Sequence, residues 1–239
     1  MKTIIRFTTI LFVTFYFQGT NLLATQVNSD RQARQISGFH GVSVSSGIDL
    51  YLMQKDVEEV FVEAKSDELD KILTIVEEGI LKIYIKEKSF FVLNWNTSTR
   101  KVYVSFKTLS KLRASAGSDV FSQSVLKLDK LDLQASSGSD IKLELEANEL
   151  NVETSSGSDI SLKGKATVIQ ADASSGSDIN AFELETKKCT ASVSSGSDIE
   201  VNVTEELDAN ASSGGDIEFT GNPKSKNFHE SSGGDVHGK

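Results

Sequence analysis

One six-residue motif decides most of what this chain can become. Ser136-Ser137-Gly138-Ser139-Asp140-Ile141 recurs without change at 155–160, 174–179 and 194–199. Close variants stand at 115–120 (Ser115-Ala116-Gly117-Ser118-Asp119-Val120), 212–217 and 231–236, the last two with glycine in place of the third serine. The aspartates fall at 119, 140, 159, 178, 198, 216 and 235, so the steps are 21, 19, 19, 20, 18 and 19. Between copies the chain alternates. Ile141, Leu143 and Leu145 follow one motif, and Leu150, Val152 and Thr154 precede the next, with Lys, Glu, Asn and Asp interleaved. Period two means strand, one face inward and one outward.

A coil of about 19 residues cannot bury its inner face alone, but it can when stacked on neighbours at the inter-strand spacing of about 4.8 Å. The fold expected is therefore all-β: a parallel β-helix, or solenoid, of roughly 19-residue coils, each with two short strands and one tight Ser-Gly corner. General crossover chirality predicts a right-handed winding. An antiparallel meander or sandwich is the competing architecture; it gives no reason for the same motif at one corner of every period. A single proline in the whole chain agrees with an uninterrupted sheet.

The corner chemistry follows from residue type. Glycine takes the positive φ of a sharp bend, and Ser and Asp side chains satisfy nearby backbone donors. Continuing the alternation from Ala135 to Ile141 points Ser137 and Ser139 inward and Asp140 outward, unless the bend changes parity. Stacking then makes a column of Asp119, Asp140, Asp159, Asp178, Asp198, Asp216 and Asp235. Neighbouring charges about 4.8 Å apart repel by about 1 kcal/mol in water and roughly 3–4 kcal/mol at an effective dielectric near 20. Capping by backbone and Ser donors, fanning by coil twist, or bound cations would each relieve this. Calcium on the Asp column is the one metal alternative, since oxygen-rich corners suit a hard cation. Against it, calcium-binding repeats place such a loop about every nine residues.

Residues 1–24 read as a signal peptide: Lys2 and Arg6, then Ile10 to Phe17 as a short apolar core, with cleavage expected before Thr25. Residues 25–35 are expected as a flexible leader, 36–113 as an irregular β-rich cap, and 114–239 as the solenoid. Within the cap, strands are expected at 48–54, 58–64, 72–77, 80–86 and 101–106, with a turn at Glu77-Glu78-Gly79 and a helical turn near 67–71. Ser45-Ser46-Gly47-Ile48-Asp49-Leu50 is an early cousin of the corner. The most hydrophobic non-repeat stretch holds Phe90, Phe91 and Trp95. As an exposed loop these are interaction candidates; as core they need no ligand.

The formal net charge of −9 excludes a nucleic-acid or anionic-lipid partner. The single cysteine, Cys189, permits no intrachain disulfide and sits in the inward register, as a small buried hydrophobe. His40, His229 and His237 are scattered, and no zinc, nucleophile-elbow or phosphate-loop pattern occurs. No catalytic residue and no cofactor is expected.

Gly47-Ile48-Asp49-Leu50, the strand Gly79-Ile80-Leu81-Lys82-Ile83 and the serial S-S-G-S-D-I motifs resemble the bacterial head GIN domain family of auto-transporter adhesins, over about 36–236. Gly47-Ile48-Asp49 is similar to that family's Gly-Ile-Asn/Asp signature. The resemblance implies a β-helical domain in the periplasm, on the outer-membrane surface or secreted from Gram-negative cells, with an adhesive role and no catalytic residues. No stretch after Asp235 is long enough for a translocating β-barrel, so self-export is not expected. The function expected is an exported, non-catalytic binding module that meets polysaccharide, protein or another copy of itself. A structural protein of the envelope is the alternative, and a polysaccharide-active enzyme a remote third. No membrane span is expected after signal cleavage.

Overall fold

A computed structural model describes residues 30–86 and 100–239. The expected leader 1–24 and the candidates Phe90, Phe91 and Trp95 lie outside those residues. In chain order the strands are β1 (Asp30–Arg34), β2 (Gly41–Val44), β3 (Asp49–Gln54), β4 (Glu59–Ala64), β5 (Ile72–Glu77), β6 (Ile80–Ile85), β7 (Lys101–Phe106), β8 (Lys111–Ser115), β9 (Asp119–Ser122), β10 (Leu126–Ser136), β11 (Asp140–Ser155), β12 (Asp159–Ser174), β13 (Asp178–Ser194), β14 (Asp198–Ser212), β15 (Asp216–Gly221), β16 (Ser225–Ser231) and β17 (Asp235–Gly238). They join one sheet.

From β8 onward every pairing is parallel and runs one coil to the next, Asp140 beside Asp159, Asp159 beside Asp178, Asp178 beside Asp198. This is the expected parallel solenoid, with one difference. Each middle coil is not two short strands but a single strand of 15–17 residues that runs from one corner to the next. In β11, Ile141, Leu143 and Leu145 are buried on one face and Leu150, Val152 and Thr154 on the other. The inward phase slips by one residue between them, at a bend gentle enough for the ladder to continue: Ala147 pairs Ala166 and Glu149 pairs Val168. Only the Ser-Gly side is sharp.

The core is a set of columns. Ile141, Ile160, Ile179, Ile199, Ile217 and Val236 stack rung on rung, and Leu150, Ile169, Cys189 and Leu207 do so on the opposite face. Each fully buried aliphatic side chain contributes about 1.5–3 kcal/mol, and like packs on like because the same position recurs every coil. Cys189 is buried as expected, and burial pushes its thiol up to about 12, which makes it inert.

The N-terminal part is more regular than an irregular cap. β2 and β3 form a coil with their own Ser46-Gly47 corner, paired to β8 and β9 on one side and to β6 and β7 on the other. Strand order is thus permuted: the chain lays β2–β3, leaves, adds β6–β7 on the outside, and returns past β2–β3 with β8. The excursion supplies two antiparallel strands, β5 on β6 and β4 on β7, and β1, from before β2, adds a third on β4. These change of direction ends the stack. The turn at Glu78 (φ 52°) and Gly79 (φ 74°) joins β5 to β6 as expected, and Leu69–Lys71 is the single helical turn.

The expected flexible leader 25–35 is corrected over its described part. β1 occupies 30–34, completes the open edge of β4, and sets the Arg31 guanidinium 4.4 Å from the centre of the Phe61 ring. Arg34 Nη2 donates to the carbonyls of Leu69 at 2.7 Å and Ile72 at 3.4 Å. The sequence Asp30-Arg31-Gln32-Ala33-Arg34 carried no burial pattern, and pairing with the edge of β4 orders it.

Candidate functional site

Four outward features are built by register. The first is the corner itself. Ser137 and Gly138 both take left-handed backbone (φ 60° and 69°), and the same conformation recurs at each described corner from Ser46-Gly47 to Ser232-Gly233, with Ala116 in place of the serine once. That spends two residues on the bend. Ser137 is therefore exposed, not inward as the alternation predicted, whereas Ser139 is inward and fully buried with Ser118, Ser158, Ser177 and Ser197. The buried hydroxyls form their own ladder. Ser139 N–H donates to Ser158 Oγ at 3.1 Å, Ser177 N–H to Ser197 Oγ at 3.1 Å, and Ser139 Oγ donates to the Ala114 and Ser136 carbonyls at 3.0 Å. The turn amides do the same: Gly138 N–H donates to Ser156 O of the next coil at 3.1 Å. Motif serines are thus satisfied scaffold. Where glycine replaces the third serine, Gly215 and Gly234 close a local turn onto Ser212 and Ser231 instead, at 3.1 and 3.0 Å. A Cβ at Gly234 would lie 2.4 Å from the Ala211 carbonyl carbon.

Beside the corner stands the expected Asp column, all seven in register, with Asp49 of β3 as an eighth next to Asp119. Burial first and the neighbouring carboxylates second hold Asp49, Asp119, Asp159 and Asp198 above the ordinary Asp range. The backbone amide of the next aspartate opposes this at Asp119, Asp159 and Asp198, and Asp198 N–H donates to Asp178 Oδ1 at 3.2 Å. Lys142 offsets Asp119 and Asp159, and Lys101 offsets Asp49. Backbone capping is the compensation visible here. Among the described residues no three His, Cys, Asp or Glu side chains converge closely enough to hold a metal ion.

On the other side of the corner a groove of about 560 Å³ runs across five coils. Its floor is the half-exposed serine column Ser136, Ser155, Ser174, Ser194, Ser212, and its wall the column Gln134, Glu153, Asp172, Ser192, Asn210. Rung-to-rung bonds tie the wall, Gln134 to Glu153 at 2.7 Å, and the polar columns beside it, Asn151 to Asp132 at 2.9 Å, Lys130 to Glu149 at 2.5 Å and Lys188 to Glu206 at 2.7 Å. A smaller cavity of about 310 Å³ follows the Asp column past Lys142, Ser161, Asn180 and Glu200. The groove therefore presents hydroxyl, amide and carboxylate at the coil spacing, with Glu153 and Asp172 on adjacent rungs.

The fourth feature was not legible as a motif. Tyr51 of β3 stacks on Tyr103 of β7 (centroids 5.1 Å) and on Phe121 of β9 (5.4 Å), and Arg31 lies 4.8 Å from the Tyr103 ring centre. The rings are half-buried and cover each other's faces. Burial, then Glu63, raises the Tyr103 phenol. The signal in sequence was only an aromatic at the second outward position of three separate strands.

Among the described residues no helix is long and apolar enough to cross a membrane. Comparison with solved structures finds the same fold in a "putative adhesin" of Bacteroides fragilis NCTC 9343, 21% identical, with a TM-score of 0.82, over 89% of this chain and 98% of that one. A "putative adhesin" of Parabacteroides merdae ATCC 43184 matches at 15% identity and a TM-score of 0.71, over 90% and 97%. A "putative lipid binding protein" of Parabacteroides distasonis ATCC 8503 matches at 20% and 0.68, over 89% and 98%. No curated protein matches. A family profile, described as putative auto-transporter adhesin, head GIN domain, matches residues 38–223, and with the coil architecture this establishes that the chain belongs to that family.

Proposed function

We propose that this protein is an exported, non-catalytic binding module whose ligand is a linear neutral polysaccharide lying along the groove beside the corner. One observation carries the reading: the groove repeats a hydroxyl beside an amide, hydroxyl or carboxylate on five successive coils. Rungs about 4.8 Å apart suit a polymer that offers hydroxyl groups at a comparable repeat. Hydrogen bonds that recur on every rung give affinity that grows with ligand length. The net charge of −9 disfavours polyanionic chains. The adhesin names of the family and of its structural neighbours point to attachment.

The test is a glycan array of neutral and anionic linear polysaccharides, probed with the protein and with Glu153→Lys/Asp172→Lys. Both side chains are on the groove wall and outside the core. The protein should bind neutral linear glycans, longer ones better, and the double variant should bind at least tenfold more weakly. No binding by the unaltered protein, or equal binding by the variant, overturns the reading.

A further inference from the structure

The end of the stack formed by β16 and β17 carries a second surface. All seven residues of β16, Ser225-Lys226-Asn227-Phe228-His229-Glu230-Ser231, are exposed, and among the described residues it pairs only with β14. In a parallel ladder each residue turns its N–H and C=O to the same side, and the side alternates along the strand. Asp132 N–H donates back to Ser110 O, and the register carries that column through Asn151, Gln170, Thr190 and Asp208 to Asn227. Lys226, Phe228 and Glu230 therefore turn both main-chain groups toward the open end, a template for one more strand. Val236 N–H on β17 faces the same way and is donated to Glu230 Oε1 at 3.0 Å.

The side chains at these three positions break the core columns. Lys226 stands next to Leu207, Phe228 next to Ala209 and Glu230 next to Ala211. Phe228 is 37% exposed although its ring lies 5.5 Å from Phe219, and Lys226 Nζ lies 5.0 Å from the same ring's centre. The order Lys-Asn-Phe-His-Glu is self-complementary about Phe228. Laid antiparallel on its own copy, the strand puts Lys226 opposite Glu230 twice, Asn227 opposite His229, and Phe228 opposite Phe228. The three residues with open main-chain groups are the ones that would exchange hydrogen bonds.

We infer that β16 is a homodimerisation edge. Two copies of this chain join end to end about a two-fold axis at Phe228, so the sheet runs on from one stack into the other and the Phe228 rings close over both core ends. The contact is isologous and closes at two. It is small, so the dimer is weak and reversible. It is independent of the groove and of any glycan bound there.

Sedimentation equilibrium over a concentration series tests this. The protein should fit a monomer–dimer equilibrium. Lys226→Glu, which sets Glu against Glu on both sides of the axis, should raise the dissociation constant at least tenfold. Lys226→Glu/Glu230→Lys should restore the dimer. Under mild oxidation Phe228→Cys should cross-link as a dimer, because opposed hydrogen-bonded residues lie about 5.5 Å apart at Cα, within disulfide reach. His229→Cys, which faces Asn227 of the copy, should not. A monomer at every concentration, growth beyond two copies, a dimer indifferent to Lys226→Glu, or no cross-link at Phe228→Cys overturns the proposal.

Discussion

Five corners hide a serine hydroxyl, at Ser118, Ser139, Ser158, Ser177 and Ser197, and that hydroxyl ties one coil to the next. Ser158 Oγ accepts the Ser139 N–H inside a fully buried column. Ser158→Ala leaves that amide without a partner and should cost about 1–3 kcal/mol, read as a fall of several degrees in the thermal midpoint. An unchanged midpoint would mean the column is not what seals the bend. The aspartate outside it works in the opposite sense. Burial and then the Asp140 and Asp178 carboxylates raise Asp159 above its unfolded value. The folded state therefore binds this proton more tightly, and the penalty is present above the folded pKa and relieved as pH falls through it. Asp159→Asn should raise the midpoint at pH 7 by about 1–2 °C, roughly 0.5 kcal/mol after solvent screening. The gain should vanish on acidification toward pH 4. A loss of stability at pH 7 would show instead that the carboxylate has a cation partner. At this scale the sequence was partly legible. Residue types named the bend and the Asp column, and counting by twos carries correctly from Ala135 to Ser139 and Ile141, but the exposure of Ser137 was not legible, because it takes positive φ together with Gly138.

The strands show why the repeat half of the fold was readable and the other half only in pieces. Where the motif recurs, composition at one position repeats in the next coil, so a column is visible as soon as the period is. β3 to β7 carry no motif, yet their alternation placed them within one or two residues of where they lie. What alternation does not encode is neighbourhood. Nothing in the order of β2, β3, β6 and β7 tells that the later pair lies outside the earlier one. The stack of Tyr103, Tyr51 and Phe121 depends on that permutation, since the three come from strands adjacent only in space. Tyr51 is the middle ring. Tyr51→Ala removes both contacts and should destabilise by about 2 kcal/mol, seen as a lower urea midpoint with an unchanged slope. A midpoint that does not move would make the ladder incidental to the cap.

For the molecule as a whole, stability and surface are both sums over coils. Every middle coil supplies the same core columns, the same serine hydroxyl, the same outward acid and one rung of the groove, so each is a unit that contacts only its neighbours. Binding along the groove and pairing at β16 are separate uses of that stack, one along its length and one at its end. Glycine at positions 215 and 234 marks where the repeat changes, and Lys226 and Glu230 mark where the core columns stop; both departures were visible in the sequence, but only the register shows that the charged pair faces the core. The most direct measurement is the thermal unfolding of a chain lacking residues 159–177, which joins Ser158 to Asp178 and removes one whole rung. The account predicts a folded protein with a single cooperative transition a few degrees below the full chain. A chain that fails to fold, or that melts in separate steps, would contradict the claim that the coil is the unit of this structure.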